Sequence, residues 1–152
     1  MSDADRTTAL ADAILDGFPV DPRSETTHLL EVGIGERTDV AAAIAATDVA
    51  VTAVDVVERS VPAGIAFEQA DLHALREAAA EGSLPESIVD RPTPLDGVYA
   101  LRLPPELHEA FADLVSQIGV PGAFTTLGGD PPTVSVTPTQ IRGGETIYWI
   151  EK

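Results

Sequence analysis

The sequence predicts one α/β domain: an open, mostly parallel sheet with helices on both faces and an antiparallel hairpin at its C-terminal end. Short apolar runs rich in β-branched residues alternate four times with segments of helical character, which favours parallel strands joined by crossover helices. The C-terminal part lacks this alternation and has two extended runs around a glycine pair, which is typical of a hairpin. With 152 residues and 44% hydrophobic composition, the chain can bury one substantial core.

The N-terminal half begins with an amphipathic helix over residues 3–18, whose apolar positions recur at helical spacing. The first strand, over 27–32, ends in a glycine loop that leads into a short alanine-rich helix over 38–46. The run VAVTAVDVV over 49–57 is apolar almost throughout, as in a central strand that is buried on both faces. A weaker strand is predicted over 64–68.

Turn residues delimit the elements of the C-terminal half. A helix begins at Asp71 and ends at Gly82, which suits the left-handed conformation of a C-cap. The proline-containing segment 83–95 has no periodicity and is expected to be the longest loop. A strand over 97–103 precedes a helix that begins at the two prolines 104–105 and ends at Gly119. The remaining predicted strands cover 123–127, 133–141 and 145–150.

These elements form a single Rossmann-like domain over residues 1–152. Residues 1–26 hold the N-terminal helix and a linker, residues 27–128 hold the parallel α/β core, and residues 129–152 hold the closing hairpin. The first five strands are expected in the order 3-2-1-4-5, the doubly wound arrangement.

Acidic residues dominate the composition, with 25 Asp and Glu against nine Lys and Arg and a formal net charge of −16. Such a surface is typical of a halophile, because molar salt shortens the Debye length to about 3 Å and screens self-repulsion. The same charge argues against a nucleic-acid partner, since affinity for a phosphate backbone depends on Lys and Arg. A nucleic-acid partner is therefore not expected, and the partner predicted from the residues at the strand ends is a small-molecule ligand.

Several other classes of function are disfavoured. No run approaches the roughly 18 apolar residues of a membrane span, and the acidic N-terminus is unlike a signal peptide, so a cytoplasmic protein without a membrane partner is expected. The absence of cysteine excludes thiolate nucleophiles and Cys-ligated metals. The three histidines stand apart, and His73 with Glu77 reads as a solvated helix face, so no metal site is predicted.

Residues at the strand ends are the candidates for a ligand site, because open α/β sheets bind ligands beyond the carboxyl ends of their strands. Gly33 and Gly35 let the backbone approach a ligand closely. Asp55 follows Gly33 by about 20 positions, the spacing at which an acid meets ribose hydroxyls. Arg102 ends the fourth strand, where its guanidinium can clamp a carboxylate or phosphate.

The motifs EVGIG, AVD and QADL resemble those of class I S-adenosylmethionine-dependent methyltransferases, over about residues 27 to 104. The resemblance implies a Rossmann-like domain that binds S-adenosylmethionine. It also implies a role for each matching residue: Glu31 organises the loop, Gly33 and Gly35 face the methionine part, Asp55 holds the ribose hydroxyls, and Asp71 approaches the adenine amino group.

A closer resemblance extends over the whole chain. The segments LLEVGIG, VTAVDV and DGVYALRLPPELHEAF are similar to those of a small archaeal group, uncharacterised protein family 0146. This resemblance implies a methyltransferase-like fold and no established reaction.

A dinucleotide site is the competing interpretation of the same loop. Its fingerprint GxGxxG asks for a glycine where Thr38 stands, and Glu31 places negative charge near any phosphate. Both features favour a ligand without phosphates, such as S-adenosylmethionine. Arg37 stands where many methyltransferases have a third glycine. Its side chain would narrow the part of the site that holds the methionine group of the ligand.

Each candidate residue also has a purely structural explanation. The two glycines are explained equally by a tight turn, and Asp71 by an N-cap whose carboxylate accepts amide protons of the first helical turn. Arg102 has many acids with which to form an ion pair. His108 is a candidate base in the helix after the prolines, and an exposed surface position explains it as well.

Two hypotheses from different classes follow. The first is a small S-adenosylmethionine-dependent methyltransferase with Arg102 and His108 as candidate catalytic residues; because the sulfonium is already activated, positioning of the acceptor supplies most of the rate. The alternative is a non-catalytic ligand sensor or interaction module on the same fold.

The charge pattern predicts that the fold depends on salt. We expect the melting temperature to rise with KCl and folding to weaken below about 1 M, where screening of the acidic surface fails. Thermal unfolding across a KCl series measures this dependence. A melting temperature that is independent of KCl would contradict it.

Overall fold

The computed structural model describes residues 3–18, 27–85, 88 and 95–151. In this part of the chain no helix is both long and apolar enough to cross a bilayer. The helices are α1 (Asp3–Gly17), α2 (Asp39–Ala45), α3 (Leu72–Glu81) and α4 (His108–Ile118), the last preceded by a 3₁₀ turn over Pro105–Leu107. The strands are β1 (Thr27–Val32), β2 (Val49–Asp55), β3 (Ile65–Gln69), β4 (Gly97–Leu103), β5 (Gly122–Thr126), β6 (Val136–Gln140) and β7 (Thr146–Ile150).

The seven strands form one sheet in the order β3-β2-β1-β4-β5-β7-β6. Strands β1 to β5 are parallel, and β7 is antiparallel to both of its neighbours. The predicted mostly parallel α/β sheet with a C-terminal antiparallel hairpin is therefore confirmed. The hairpin does not extend the sheet outward in chain order, because β7 lies inside the sheet and β6 forms its edge.

Helices cover both faces of the sheet, as predicted. On one face α1 and α2 pack over a core that includes Ile14 and Leu29. On the other face α3 and α4 pack over a core that includes Phe111 and Leu30. Leu29 and Leu30 are consecutive in β1 and point to opposite faces, which is why the central strands are apolar throughout.

The ends of the elements follow local backbone chemistry. Gly82 and Gly119 end α3 and α4 with φ of +71° and +83°, as predicted for C-caps. β2 ends at Asp55, earlier than predicted, because the Asp55 carboxylate accepts the N–H of Val57 at 3.1 Å and turns the chain out of the sheet.

The helix predicted from the two prolines begins instead with the 3₁₀ turn, in which the Leu107 N–H donates to the Pro104 carbonyl at 2.9 Å. The first strand of the hairpin is shorter than predicted. The linker after α1 and most of the predicted loop over 83–95 lie outside the described residues.

The edge strand β6 is mostly exposed along its length. Pro138 stands at its middle, in register with Tyr148 of β7. Proline has no N–H and tolerates only edge positions in a sheet, so the sequence of β6 suits the place that the topology gives it.

A close contact between α1 and the sheet predicts the effect of one substitution. A Cβ at Gly97 would lie 2.3 Å from Cδ1 of Phe18, whose ring packs edge-on against Trp149 with centroids 5.0 Å apart. We expect Gly97→Ala to lower the free energy of unfolding by about 1–3 kcal/mol, the usual cost of overpacking. Denaturant unfolding in concentrated KCl measures this difference.

The matched control is Gly129→Ala, because nothing lies within 4 Å of a Cβ at Gly129. Its free energy of unfolding should change by less than about 0.5 kcal/mol. Equal stability of the two variants would contradict the proposed packing of Phe18 against β4.

Candidate functional site

A cavity of about 800 Å³ opens beyond the carboxyl ends of β1 and β4, where the strand order reverses. Ligands of open α/β sheets bind at this place, and the volume is within the range for small-molecule sites. The wall consists of the glycine loop and the start of α2, the ends of β4 and β5, one face of α1, and a residue of the turn between β6 and β7.

Backbone hydrogen bonds hold the glycine loop to β2. The N–H groups of Gly33 and Ile34 both donate to the carbonyl of Val54, at 2.8 and 3.2 Å. Gly33 and Gly35 have φ of +72° and +62°, which glycine adopts without strain. A Cβ at either position would meet nothing within 4 Å, so both glycines border open space. The structure thus places both predicted glycines in the cavity lining.

Asp55 supports this loop from the end of β2. One carboxylate oxygen accepts the N–H of Gly35 at 2.7 Å, and the other accepts the N–H of Val57. The guanidinium of Arg59 lies 3.7 Å from the same carboxylate. Asp55 is therefore adjacent to the cavity through the loop it holds, although the lining does not include it.

Glu31 lies in the cavity wall and is almost fully buried, at 1% exposure. It pairs in register with Tyr99 of β4, so the two side chains are neighbours on one face of the sheet. Burial raises the pKa of the Glu31 carboxyl to about 7; the Tyr99 hydroxyl offsets part of the rise, and the negative charge of Asp39 adds to it. The Glu31 carboxyl is thus partly protonated near neutral pH.

The contact between these two groups is not a well-formed hydrogen bond. Within the described residues, Oε1 of Glu31 and the hydroxyl of Tyr99 are buried without a partner of good hydrogen-bond geometry. Burial also raises the pKa of Tyr99 well above its ordinary value, so the phenol stays neutral. The wall therefore contains a carboxyl oxygen with unused capacity to accept a hydrogen bond.

Arg102 reaches the cavity from the end of β4, and its φ of +55° is the one positive value among the described non-glycine residues. The pairing of β4 with β5 is irregular between Ala100 and Leu103, and the N–H of Arg102 donates to Oγ1 of Thr125 at 2.8 Å. The side chain is exposed. The structural explanation of Arg102 was an ion pair with a nearby acid. No acid that the structure describes forms an ion pair with Arg102 within 4.0 Å.

Asp71 and His108 lie elsewhere. Asp71 is the N-cap of α3 and accepts the N–H of His73 at 2.7 Å, outside the cavity lining. His108 is fully buried, so the expectation of a surface position was wrong. Its Nδ1 accepts the N–H of Thr133 at 3.1 Å, which leaves Nε2–H to donate to the Leu103 carbonyl at 3.0 Å. The structure does not bring either side chain into the cavity.

Several lining residues were not singled out from the sequence. Arg6 and Thr7 come from α1, and Glu145 comes from the turn before β7. The hydroxyl of Thr7 donates to the Asp39 carboxylate, which ties α1 to the start of α2. The described residues contain no group of three acids or histidines placed to hold a metal ion.

Several of the solved structures with a similar fold are methyltransferases, and another is the [4+2]-cyclase SpnF. A candidate S-adenosylmethionine-dependent methyltransferase of Methanococcus maripaludis matches 94% of this chain and 83% of its own, with a TM-score of 0.56 and 12% identity. Human methyltransferase-like protein 13, in complex with S-adenosylhomocysteine, matches 83% of this chain and 72% of its own, with a TM-score of 0.54 and 15% identity. At such low identity these likenesses establish the Rossmann-like methyltransferase fold alone.

The sequence comparisons are more specific. A UPF0146 protein of Halobacterium salinarum is 40% identical over 121 residues, which cover 80% of this chain and 84% of that protein. The family model of an uncharacterised protein family, UPF0146, matches residues 20–152. Because this match covers most of the chain, the chain belongs to UPF0146.

Proposed function

We propose that the cavity binds S-adenosylmethionine and that the protein is a small methyltransferase. The observation that carries this proposal is the buried carboxyl of Glu31, which lines the cavity with Oε1 unpartnered among the described residues. Burial disfavours the ionised carboxylate, the poorly aligned contact with Tyr99 offsets only part of this cost, and a cationic ligand stabilises the ionised form. S-Adenosylmethionine fits this demand because it carries a sulfonium and an ammonium group and no phosphate.

The glycine loop argues against a dinucleotide. Pyrophosphate sites in related folds depend on free backbone N–H groups at this turn. Here the N–H groups of Gly33 and Ile34 already donate to β2, and that of Gly35 donates to Asp55. Because these N–H donors already have partners within the protein, the loop suits a ligand that is recognised by its positive charge and its shape.

The end of β2 supports a nucleoside as the other half of the ligand. The Asp55 carboxylate has lone pairs beyond those used by Gly35 and Val57, and these can accept ribose hydroxyls. Val56 and Val57 follow directly and are 60% and 51% exposed, which provides an apolar surface for a base. Contact between Asp71 and the adenine amino group stays a prediction.

The catalytic demand on the chain is modest. When bound, S-adenosylmethionine supplies a methyl group already activated by its positively charged sulfur. The residues of the chain need only hold the acceptor in line and exclude water. Arg102 and Thr125 line the same cavity from β4 and β5 and are the residues we expect to position the acceptor.

The second candidate function is a non-catalytic ligand sensor or interaction module. Two observations favour it: His108 has both ring nitrogens engaged outside the cavity, and the connection between β5 and β6 contains no helix that could extend a substrate wall. A ligand sensor also predicts cofactor binding, whereas an interaction module does not, and only the methyltransferase predicts methyl transfer to an added acceptor.

The proposal predicts a loss of binding in Asp55→Ala. We expect calorimetric titration in about 2–3 M KCl to detect S-adenosylmethionine and S-adenosylhomocysteine, but not NAD. The variant should bind about 10- to 100-fold more weakly, the usual effect of losing hydrogen bonds to a charged group. A melting curve establishes that the variant is folded.

The matched control is Asp48→Ala, which removes an exposed acid next to the opposite end of β2. It should bind as the wild type does. Absence of binding to folded wild-type protein would contradict the proposed function, and equal affinities of the two variants would contradict the role of Asp55.

The raised pKa of Glu31 predicts that affinity depends on pH. A cation beside Glu31 favours the ionised carboxylate, so affinity for S-adenosylmethionine should rise as the pH rises through about 7 and then level off. The contribution of Glu31 between about pH 6 and 8 is roughly ten-fold, the change in its ionised fraction.

Titrations of Glu31→Gln isolate this contribution, because the amino group of the ligand itself titrates in both proteins. The variant should bind more weakly and lack the rise attributable to Glu31. Parallel pH profiles of the wild type and Glu31→Gln would show that no positive group of the ligand lies beside this carboxyl.

A further inference from the structure

Three arginines line the cavity: Arg6 from α1, Arg37 from the glycine loop and Arg102 from β4. Four acids share the lining, so bases and acids are nearly equal there, whereas the whole chain has nine Lys and Arg against 25 Asp and Glu. One third of the basic residues therefore belong to a single cavity. A uniformly acidic surface does not account for this concentration.

The three guanidinium groups form no ion pair within 4.0 Å with the acids that the structure describes, although acids are abundant. Two of the lining acids have other partners: Glu36 lies 3.8 Å from Arg59, and Asp39 accepts the hydroxyl of Thr7. A third, Glu31, is partly protonated near neutral pH. The arginines are therefore available to a ligand.

The backbone at Arg102 carries a conformational cost, at the irregular pairing of β4 with β5. A non-glycine residue at positive φ is strained, and such strain is retained where the surrounding structure and a functional requirement hold it. Glycine would adopt the same conformation without this cost. The hydrogen bond from the Arg102 N–H to Thr125 fixes the strained backbone, and the exposed side chain lines the cavity. A guanidinium that binds a ligand would give a reason for arginine rather than glycine at this strained position.

We propose that Arg102, with Arg6 and Arg37 around it, binds the oxyanion of a small methyl acceptor that carries a carboxylate or phosphate group. This inference rests on the proposed function and specifies the class of its substrate. A guanidinium binds an oxyanion through two parallel hydrogen bonds, which a spherical chloride ion cannot match, so the site retains selectivity in concentrated KCl. The cavity volume of about 800 Å³ suits a small acceptor beside the cofactor.

The test is the affinity of oxyanions for the protein saturated with S-adenosylhomocysteine. Inorganic phosphate and citrate are titrated separately in concentrated KCl, which distinguishes a phosphate site from a carboxylate site. We expect one of them to bind, and Arg102→Gln to weaken it at least ten-fold. Arg102→Lys should retain only part of the affinity, because an ammonium group lacks the planar fork.

Two further variants separate binding from folding. Arg142→Gln removes an exposed arginine outside the cavity lining and should leave oxyanion affinity unchanged. Arg102→Gly should abolish oxyanion binding and raise the melting temperature, because glycine relieves the strain at positive φ. A purely structural role of Arg102 would instead lower the melting temperature.

The carboxylate of the cofactor itself is the other anion that Arg102 can bind. S-Adenosylhomocysteine has a carboxylate and methylthioadenosine lacks it, so their affinities are compared in wild type and Arg102→Gln. If each ligand binds the wild type and Arg102→Gln with the same affinity, the result supports an acceptor site. A loss specific to S-adenosylhomocysteine overturns it, because Arg102 would then bind the cofactor's carboxylate.

Different results would contradict the acceptor site and the cofactor site. Saturable binding of S-adenosylhomocysteine without binding of either oxyanion, or with oxyanion binding that Arg102→Gln leaves unchanged, overturns the acceptor site and leaves the cofactor site standing. No binding of S-adenosylhomocysteine to folded wild-type protein overturns the proposed function and the acceptor site with it.

Discussion

The cavity depends on the attachment of the glycine loop to the end of β2, above all on the hydrogen bond from the N–H of Gly35 to the carboxylate of Asp55 at 2.7 Å. It joins the loop after β1 to the end of β2 and holds the loop at the edge of the open space. The same carboxylate ends β2 by accepting the N–H of Val57, and it lies beside Arg59. One side chain thus sets the length of a strand, the shape of the loop and the position of a charge.

This arrangement divides recognition between two regions of the cavity. The loop has few free donors, because the N–H groups of Gly33, Ile34 and Gly35 are bonded to β2, and the buried Glu31 lines the cavity just before it. Capacity to bind anions lies instead in arginines from α1, the loop and β4. A cavity with an acidic region and basic side chains suits two ligand groups of opposite charge, such as a sulfonium cofactor and an anionic acceptor.

The features that the sequence predicted well are local ones. The glycines and the strand before them define the loop within a few residues, and alternation of strands and helices defines the parallel sheet. The features that it missed depend on distant contacts. Nothing in the pattern of β7 places it between β5 and β6, and the periodicity of α1 identifies its apolar face but not that Arg6 meets the cavity.

His108 illustrates how a small change in the backbone alters a site prediction. A regular helix from the prolines was expected, but a 3₁₀ turn comes first, and its three residues per turn shift the direction of the following side chains. The ring is therefore buried against Phe124, with centroids 4.6 Å apart. Its two nitrogens connect the end of β4 to the segment before β6.

The proline in β6 has a consequence for association between molecules. An exposed edge strand offers its backbone to the edge of another sheet, and proteins resist this pairing with charge or with proline. Repulsion between acidic surfaces fades as salt is added, whereas the missing N–H of Pro138 is independent of ionic strength. A protein that keeps its edge protected in this way can remain dispersed at salt concentrations that would neutralise the protection given by its net charge of −16.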